Sequence, residues 1–79
     1  MKLEIISLQK RYFAGEVDKI TLPGVLGSFQ ILKNHAPLIS SLASGKLVFS
    51  ADGDSMEIKI NGGFVEVNNN KVTVCIDAI

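Results

Sequence analysis

Apolar and polar side chains alternate along most of this chain. Met56, Ile58 and Ile60 are separated by Glu57 and Lys59, a period of two that predicts a strand with one buried and one wet face. Val72, Val74 and Ile76 repeat the pattern within Lys71 to Ile76. Lys46 to Ser50 and Phe64 to Asn68 supply two further strands, which makes the second half a meander of about four. Its turns are marked by residues that tolerate positive φ: Asp52-Gly53, Gly62-Gly63 and Asn68-Asn69-Asn70. In the first half, Lys2 to Leu8 reads as a strand with Leu3 and Ile5 on one face. Tyr12 to Leu22 reads as a longer strand with a possible bulge at Gly15.

Residues Ile20 to Leu38 are the unusual part. They hold both prolines, two glycines and the only histidine. Pro23-Gly24 suits the centre of a type II turn, and Gly27 makes a second bend. Phe29 and Ile31 share a face of a short strand. From Asn34 to Gly45, Leu38, Ile39 and Leu42 fall at helical spacing. Asn34 is placed to cap, Pro37 sits near a first turn, and Gly45 is placed to terminate, so local reasoning favours a helix there. Short strands and glycine-rich turns predict a β-sandwich or flattened barrel.

Composition narrows the function. Seventy-nine residues make one domain, and an apolar fraction of 47% supports one compact core. The 8 basic and 8 acidic side chains cancel. Five basic and three acidic residues fall in the first 39, three and five in the rest, which is no electrostatic footprint for nucleic acid. No apolar run exceeds three residues. A membrane span needs about 20 and a signal-peptide core about 7 to 15, so the chain is expected to be soluble, not exported and not inserted in a membrane. Cys75 is the single cysteine and sits in an apolar strand pattern, where it reads as a packed hydrophobe rather than a reactive thiol.

Catalysis finds little footing. His35 is the one histidine base available, and no nucleophile and orienting group are placed beside it. One histidine and one cysteine forty residues apart make no zinc spacing. Gly24-Val25-Leu26-Gly27 lacks the lysine and helix of a phosphate loop. His35 has two readings: a structural histidine bonded to loop backbone, or a contact residue at a protein interface. The residues alone reach a small β-domain with one specialised loop, expected to bind a partner. A stand-alone β-sandwich protein-binding module and a small enzyme using His35 stay open as alternatives at this point.

Four segments carry a family likeness: Leu3 to Ser7, Phe13 to Gly24, Gly27 to Leu38, and Asn61 to Val67 with Lys71 to Val74. In that order they resemble the epsilon-subunit family of the rotary F-type ATP synthase, specifically its N-terminal β-sandwich domain. The resemblance implies an all-β, ten-stranded sandwich over residues 1–79, with strand rather than helix at Leu38 to Leu42. It implies a non-catalytic rotor part of the central stalk, peripheral on the cytoplasmic face of the inner membrane, without cofactor or metal. The implied partners are the gamma subunit, at Ser7, His35, Ala36 and Ser40, and the c-ring, at Val25, Leu26, Gly27, Ser28 and Phe29. Such a domain is also expected to self-associate when isolated. Ser28 stands where many relatives carry an acidic residue, and Lys33 where proline is common. Relatives usually continue into a two-helix domain that inhibits ATP hydrolysis. The sequence ends at Ile79, so the expectation is coupling without that inhibition.

Overall fold

The structure is a computed structural model and describes residues 1–77. Nine strands follow one another: β1 (Lys2–Ile6), β2 (Arg11–Glu16), β3 (Lys19–Gly24), β4 (Gly27–Leu32), β5 (Leu38–Leu42), β6 (Gly45–Ala51), β7 (Asp54–Ile60), β8 (Gly63–Asn68) and β9 (Lys71–Ile76). They form one continuous sheet folded into two layers. One layer runs β2-β1-β9-β8-β5, and the other runs β4-β3-β6-β7. The layers join where Gly24 of β3 pairs with Leu42 of β5. β1 and β9 pair in parallel, which ties the first strand to the last. The all-β sandwich is therefore as expected. The strand number is nine rather than ten, because connections of two to five residues leave no room for another.

The sandwich closes because alternation aims one face of each strand at the opposite layer. Leu3 and Ile5 of β1, Val65 and Val67 of β8, and Val72, Val74 and Ile76 of β9 point inward from one side. Ile20 and Leu22 of β3, Ile31 of β4, Leu47 and Phe49 of β6, and Ile60 of β7 meet them from the other. Each such side chain contributes roughly 1.5–3 kcal/mol when fully buried. The Phe13 ring on β2 meets the Phe49 ring across the seam, centroids 4.5 Å apart and tilted by 52°. No polar side chain is buried among the described residues.

Several local expectations are corrected. Tyr12 to Leu22 is two strands, because the chain passes between layers at Val17 and Asp18. That crossing is pinned by Val17 N–H to the Met1 carbonyl (2.9 Å) and by Asp18 N–H to the Ser50 carbonyl (2.7 Å). The Asp18 carboxylate also accepts the Asp52 N–H at 3.0 Å. The bulge lies at Tyr12, which the β1–β2 register skips, while Gly15 pairs regularly with Leu3. The helical preference of Asn34 to Gly45 loses to the β5–β8 ladder, and Leu38 to Leu42 is a strand.

The hairpins β6–β7 and β8–β9 form as expected. Asp52 and Gly53 (φ 52° and 84°) turn the first, and Asn69 and Asn70 (51° and 60°) turn the second. They are not a continuous meander, since β8 pairs with β5 instead of β7. Along β7 the alternation is only partly expressed: Met56 is exposed, Ile58 half-buried and Ile60 buried, as suits an edge strand covered at one end.

Pro23 and Gly24 lie inside β3 and not at a turn centre; the turn residues are Val25 and Leu26. Gly24 is required for space rather than for positive φ. A Cβ there would lie 2.6 Å from the Gly27 carbonyl oxygen and 2.8 Å from the Phe29 ring. Gly63 is required on both counts. Its φ is 141°, and a Cβ would run into the Cys75 carbonyl and come within 2.9 Å of the Ile76 Cα. Gly63→Ala is expected to lower the unfolding free energy by more than about 3 kcal/mol. Gly27→Ala, with equal backbone strain but open space, is expected to lose about 1–2 kcal/mol. Urea denaturation of the two variants checks the order.

Candidate functional site

The strand register assigns each expected contact residue to a place. Gly24 pairs with Leu42, so the β3–β4 turn stands at the end of the molecule where β5 finishes. The β4–β5 loop, residues 33–37, precedes Leu38, which pairs with Val67 next to the β8–β9 turn. The two therefore occupy opposite ends of β5. At about 3.4 Å per residue, that strand separates them by roughly 15 Å.

At the first end, Val25 and Leu26 form a two-residue tip between strands that are paired throughout. Leu26 is fully exposed and Val25 is 60% exposed. The hairpin thus holds two adjacent apolar side chains in water. Gly27 closes the tip at φ 125°. Ser28 pairs with Pro23 on the outward side of β4. Phe29 belongs elsewhere: it pairs with Leu22 and packs half-buried against the core, anchoring the hairpin from inside.

At the other end, Asn34 adopts φ 65° and reverses the chain. The His35 N–H donates to the Leu32 carbonyl at 3.2 Å, and His35 Nδ1 lies 2.7 Å from the Ala36 carbonyl. A carbonyl oxygen only accepts, so Nδ1 carries the hydrogen, and in the neutral ring Nε2 is left as an acceptor. The ring thus has the structural role in the loop, through Nδ1, and its Nε2 is left as an acceptor. Ala36 and Pro37 beside it are exposed.

Ser7 and Ser40 do not join this group. Ser7 lies at the far end of β1, where its Oγ accepts the N–H groups of Gln9 (3.2 Å) and Lys10 (3.3 Å). It shapes the β1–β2 turn and leaves Leu8 fully exposed at its tip. Ser40 pairs with Val65, so it points to the inner side of β5.

The register also reveals residues that the sequence reading missed. Ile39 pairs with Glu66, and Phe64 pairs with Cys75, which pairs with Ile6. These side chains share the outer face of the five-stranded layer. Ile39 is 73% exposed and Phe64 48%. With Leu8 they make an apolar outer face, indented by an open depression of about 310 Å³ lined by Ile6, Ser7, Leu8, Phe64, Cys75, Ile76 and Asp77. A second, of about 400 Å³, lies between Ile39 and Glu66 beside Pro37. His35 lines neither. The signal for Phe64 was present: Val65 and Val67 point inward, so period two places Phe64 outward with Glu66.

Cys75 lies on this outer face, half-buried. Partial burial pushes its thiol pKa up, and the nearby carboxylates of Glu66 and then Glu4 push the same way. The thiolate is thus scarcer at neutral pH than in a free cysteine, in keeping with a packing role. Among the described residues, no group of three or more His, Cys, Asp or Glu side chains gathers as a metal site requires.

The fold, with its exposed apolar tip, apolar outer face and pinned histidine loop, is that of a small two-layer β-sandwich domain. The chain belongs to the ATP synthase delta/epsilon chain β-sandwich domain family, whose model matches residues 1–79. It is 43% identical to the ATP synthase epsilon chain of Chlorobium limicola, over 99% of this chain and 90% of that one. It is 40% identical to that of Geotalea uraniireducens, where 98% of this chain spans 56% of the relative. Among solved structures, a chain of the Euglena gracilis mitochondrial ATP synthase (OSCP/F1/c-ring) superposes with a TM-score of 0.89 at 26% identity, covering 98% of this chain and 51% of that one. A chain of the Tetrahymena thermophila mitochondrial ATP synthase central stalk and c-ring shares the fold, with a TM-score of 0.84 at 18% identity over 98% of this chain and 63% of that one.

The thiol environment yields a direct expectation. In the folded chain, Cys75 should react with iodoacetamide at pH 7.5 more slowly than free cysteine, and at an ordinary rate in urea. Mass spectrometry of timed aliquots checks it, and an equal rate in the folded chain would contradict the assignment.

Proposed function

We propose that this chain is a non-catalytic central-stalk subunit of an F-type ATP synthase, which couples rotation of the c-ring to the gamma shaft during ion-driven ATP synthesis. In this reading it lies peripherally at the cytoplasmic face of the inner membrane. The observation that carries the proposal is the exposed Val25–Leu26 pair on a hairpin of the family's sandwich. Among the described residues none covers Leu26, which stands fully exposed on a paired hairpin. In this reading a loop of a c-ring subunit covers it.

The gamma contact is assigned to His35 and Ala36, extended over the outer face by Ile39 and Phe64. Ser7 supports that face by fixing the turn that carries Leu8. Ser40 acts from within β5 and steadies the strand that presents Ile39. Phe29 serves the c-ring contact as an anchor, with Val25, Leu26, Gly27 and Ser28 at or beside the contact. Torque transmission suits this design, because a twist applied at one end reaches the other through paired strands and a packed seam.

Two substitutions separate the contacts. His35→Ala should weaken binding to purified gamma about tenfold, with the thermal midpoint within about 2 °C of the parent. Unchanged affinity by calorimetry would refute the contact, and a collapsed midpoint would assign His35 to the fold alone. Leu26→Asp should leave stability unchanged, because Leu26 is fully exposed. It should also lower coupled ATP synthesis severalfold in vesicles reconstituted with the variant. Parent-level synthesis there would remove the tip from the c-ring interface.

A further inference from the structure

Among the described residues, four that are not glycine have positive φ: Asn34, Asp52, Asn69 and Asn70. Backbone geometry alone would accept glycine at each. At Asn34 and Asn70 the side chains do something that glycine cannot. The Asn34 N–H donates to Asn70 Oδ1 at 2.6 Å, and Asn70 Nδ2 donates to Asn34 Oδ1 at 2.8 Å. Thirty-six residues apart in sequence, they form a reciprocal clasp between the β4–β5 loop and the β8–β9 turn. The Asn70 carbonyl also accepts the Lys2 N–H at 2.9 Å, so the same residue secures the start of β1.

The clasp bears directly on the next residue. Asn34 N–H is held by Asn70 and His35 N–H by the Leu32 carbonyl, so two consecutive peptide planes are fixed. The imidazole is then tied to the Ala36 carbonyl through Nδ1. What remains free is the Nε2 edge.

We infer that Asn34 and Asn70 are positioning residues that hold the His35 loop in its partner-binding conformation before the partner arrives. The inference rests on the reading of His35 as a gamma contact. A preformed loop loses less conformational freedom on association, so the clasp strengthens binding without touching the partner. It also sets partner chemistry at this point: an N–H or O–H donor placed opposite Nε2 is what the fixed ring accepts.

The test is a double-mutant cycle with Asn34→Gly, Asn70→Gly and the pair. Glycine keeps the positive φ and removes only the side-chain bonds. In the isolated chain, NMR amide exchange at residues 34–36 should quicken, and the His35 ring resonances should shift towards those of a free imidazole. Binding to purified gamma should weaken about threefold to tenfold in either single variant, and no further in the double. A role in stability alone would leave affinity unchanged at a temperature where all variants stay folded. Unaltered loop exchange would overturn the clasp. Additive losses would overturn it too, since they would report glycine flexibility at two separate sites. A loosened loop with parent affinity would overturn the positioning role. His35→Ala with parent affinity would instead remove the partner reading beneath it, while the exchange data would still report on the clasp.

Discussion

Everything in this molecule depends on the apolar seam between its two layers. Residues from β1, β8 and β9 meet residues from β3, β4, β6 and β7 there, with no polar side chain buried among them. A chain of this size buries a modest share of its surface, about 60%. The seam therefore has to be continuous, and strand pairing keeps it so. β1 couples to β9 in parallel, and Gly24 couples to Leu42 at the fold between layers. With extents of 27 × 23 × 19 Å, the described residues all lie close to this seam.

Rigidity is what the contact surfaces inherit. The Val25–Leu26 tip stays put because Phe29 packs inside and its ring covers Gly24. The outer face is apolar because Ile39, Phe64, Cys75 and Ile6 alternate with inward-facing neighbours on the same strands. The His35 loop lies outside the ladders and is held by side-chain bonds to the β8–β9 turn instead. Its geometry is thus the part most sensitive to individual residues, while the tip and the face follow from the fold.

Much of this was legible in the chain, and the exceptions have physical causes. Alternation located the buried faces of β1 and β9, and Asp52-Gly53 and Asn69-Asn70 announced the β6–β7 and β8–β9 turns. Alternation does not say which layer a strand joins. Hence Tyr12 to Leu22 read as one strand, though Val17 and Asp18 carry the chain across the seam, and β7 and β8 read as neighbours although they lie in different layers. Pro23-Gly24 looked like a turn because both residues favour turns. In the structure Gly24 is there for the Phe29 ring, a contact that sequence does not display. Leu38, Ile39 and Leu42 mimicked a helix because the spacing of three apolar residues fits two periods, and the ladder with β8 decided between them.

The contact residues divided in the same way. The proposed tip contact came from the family likeness, while His35 drew notice as the single histidine in a loop that interrupts the strand pattern. Ile39 could not be told from a core residue until the register placed it outside, whereas the alternation around Val65 and Val67 already put Phe64 on the outer face. The most direct measurement of the proposed role is proton-driven ATP synthesis by synthase reconstituted without this chain and then with it restored. The account predicts that synthesis collapses in its absence and returns with the added protein. Full synthesis without it would contradict the claim that a rigid two-layer sandwich joins ring to shaft.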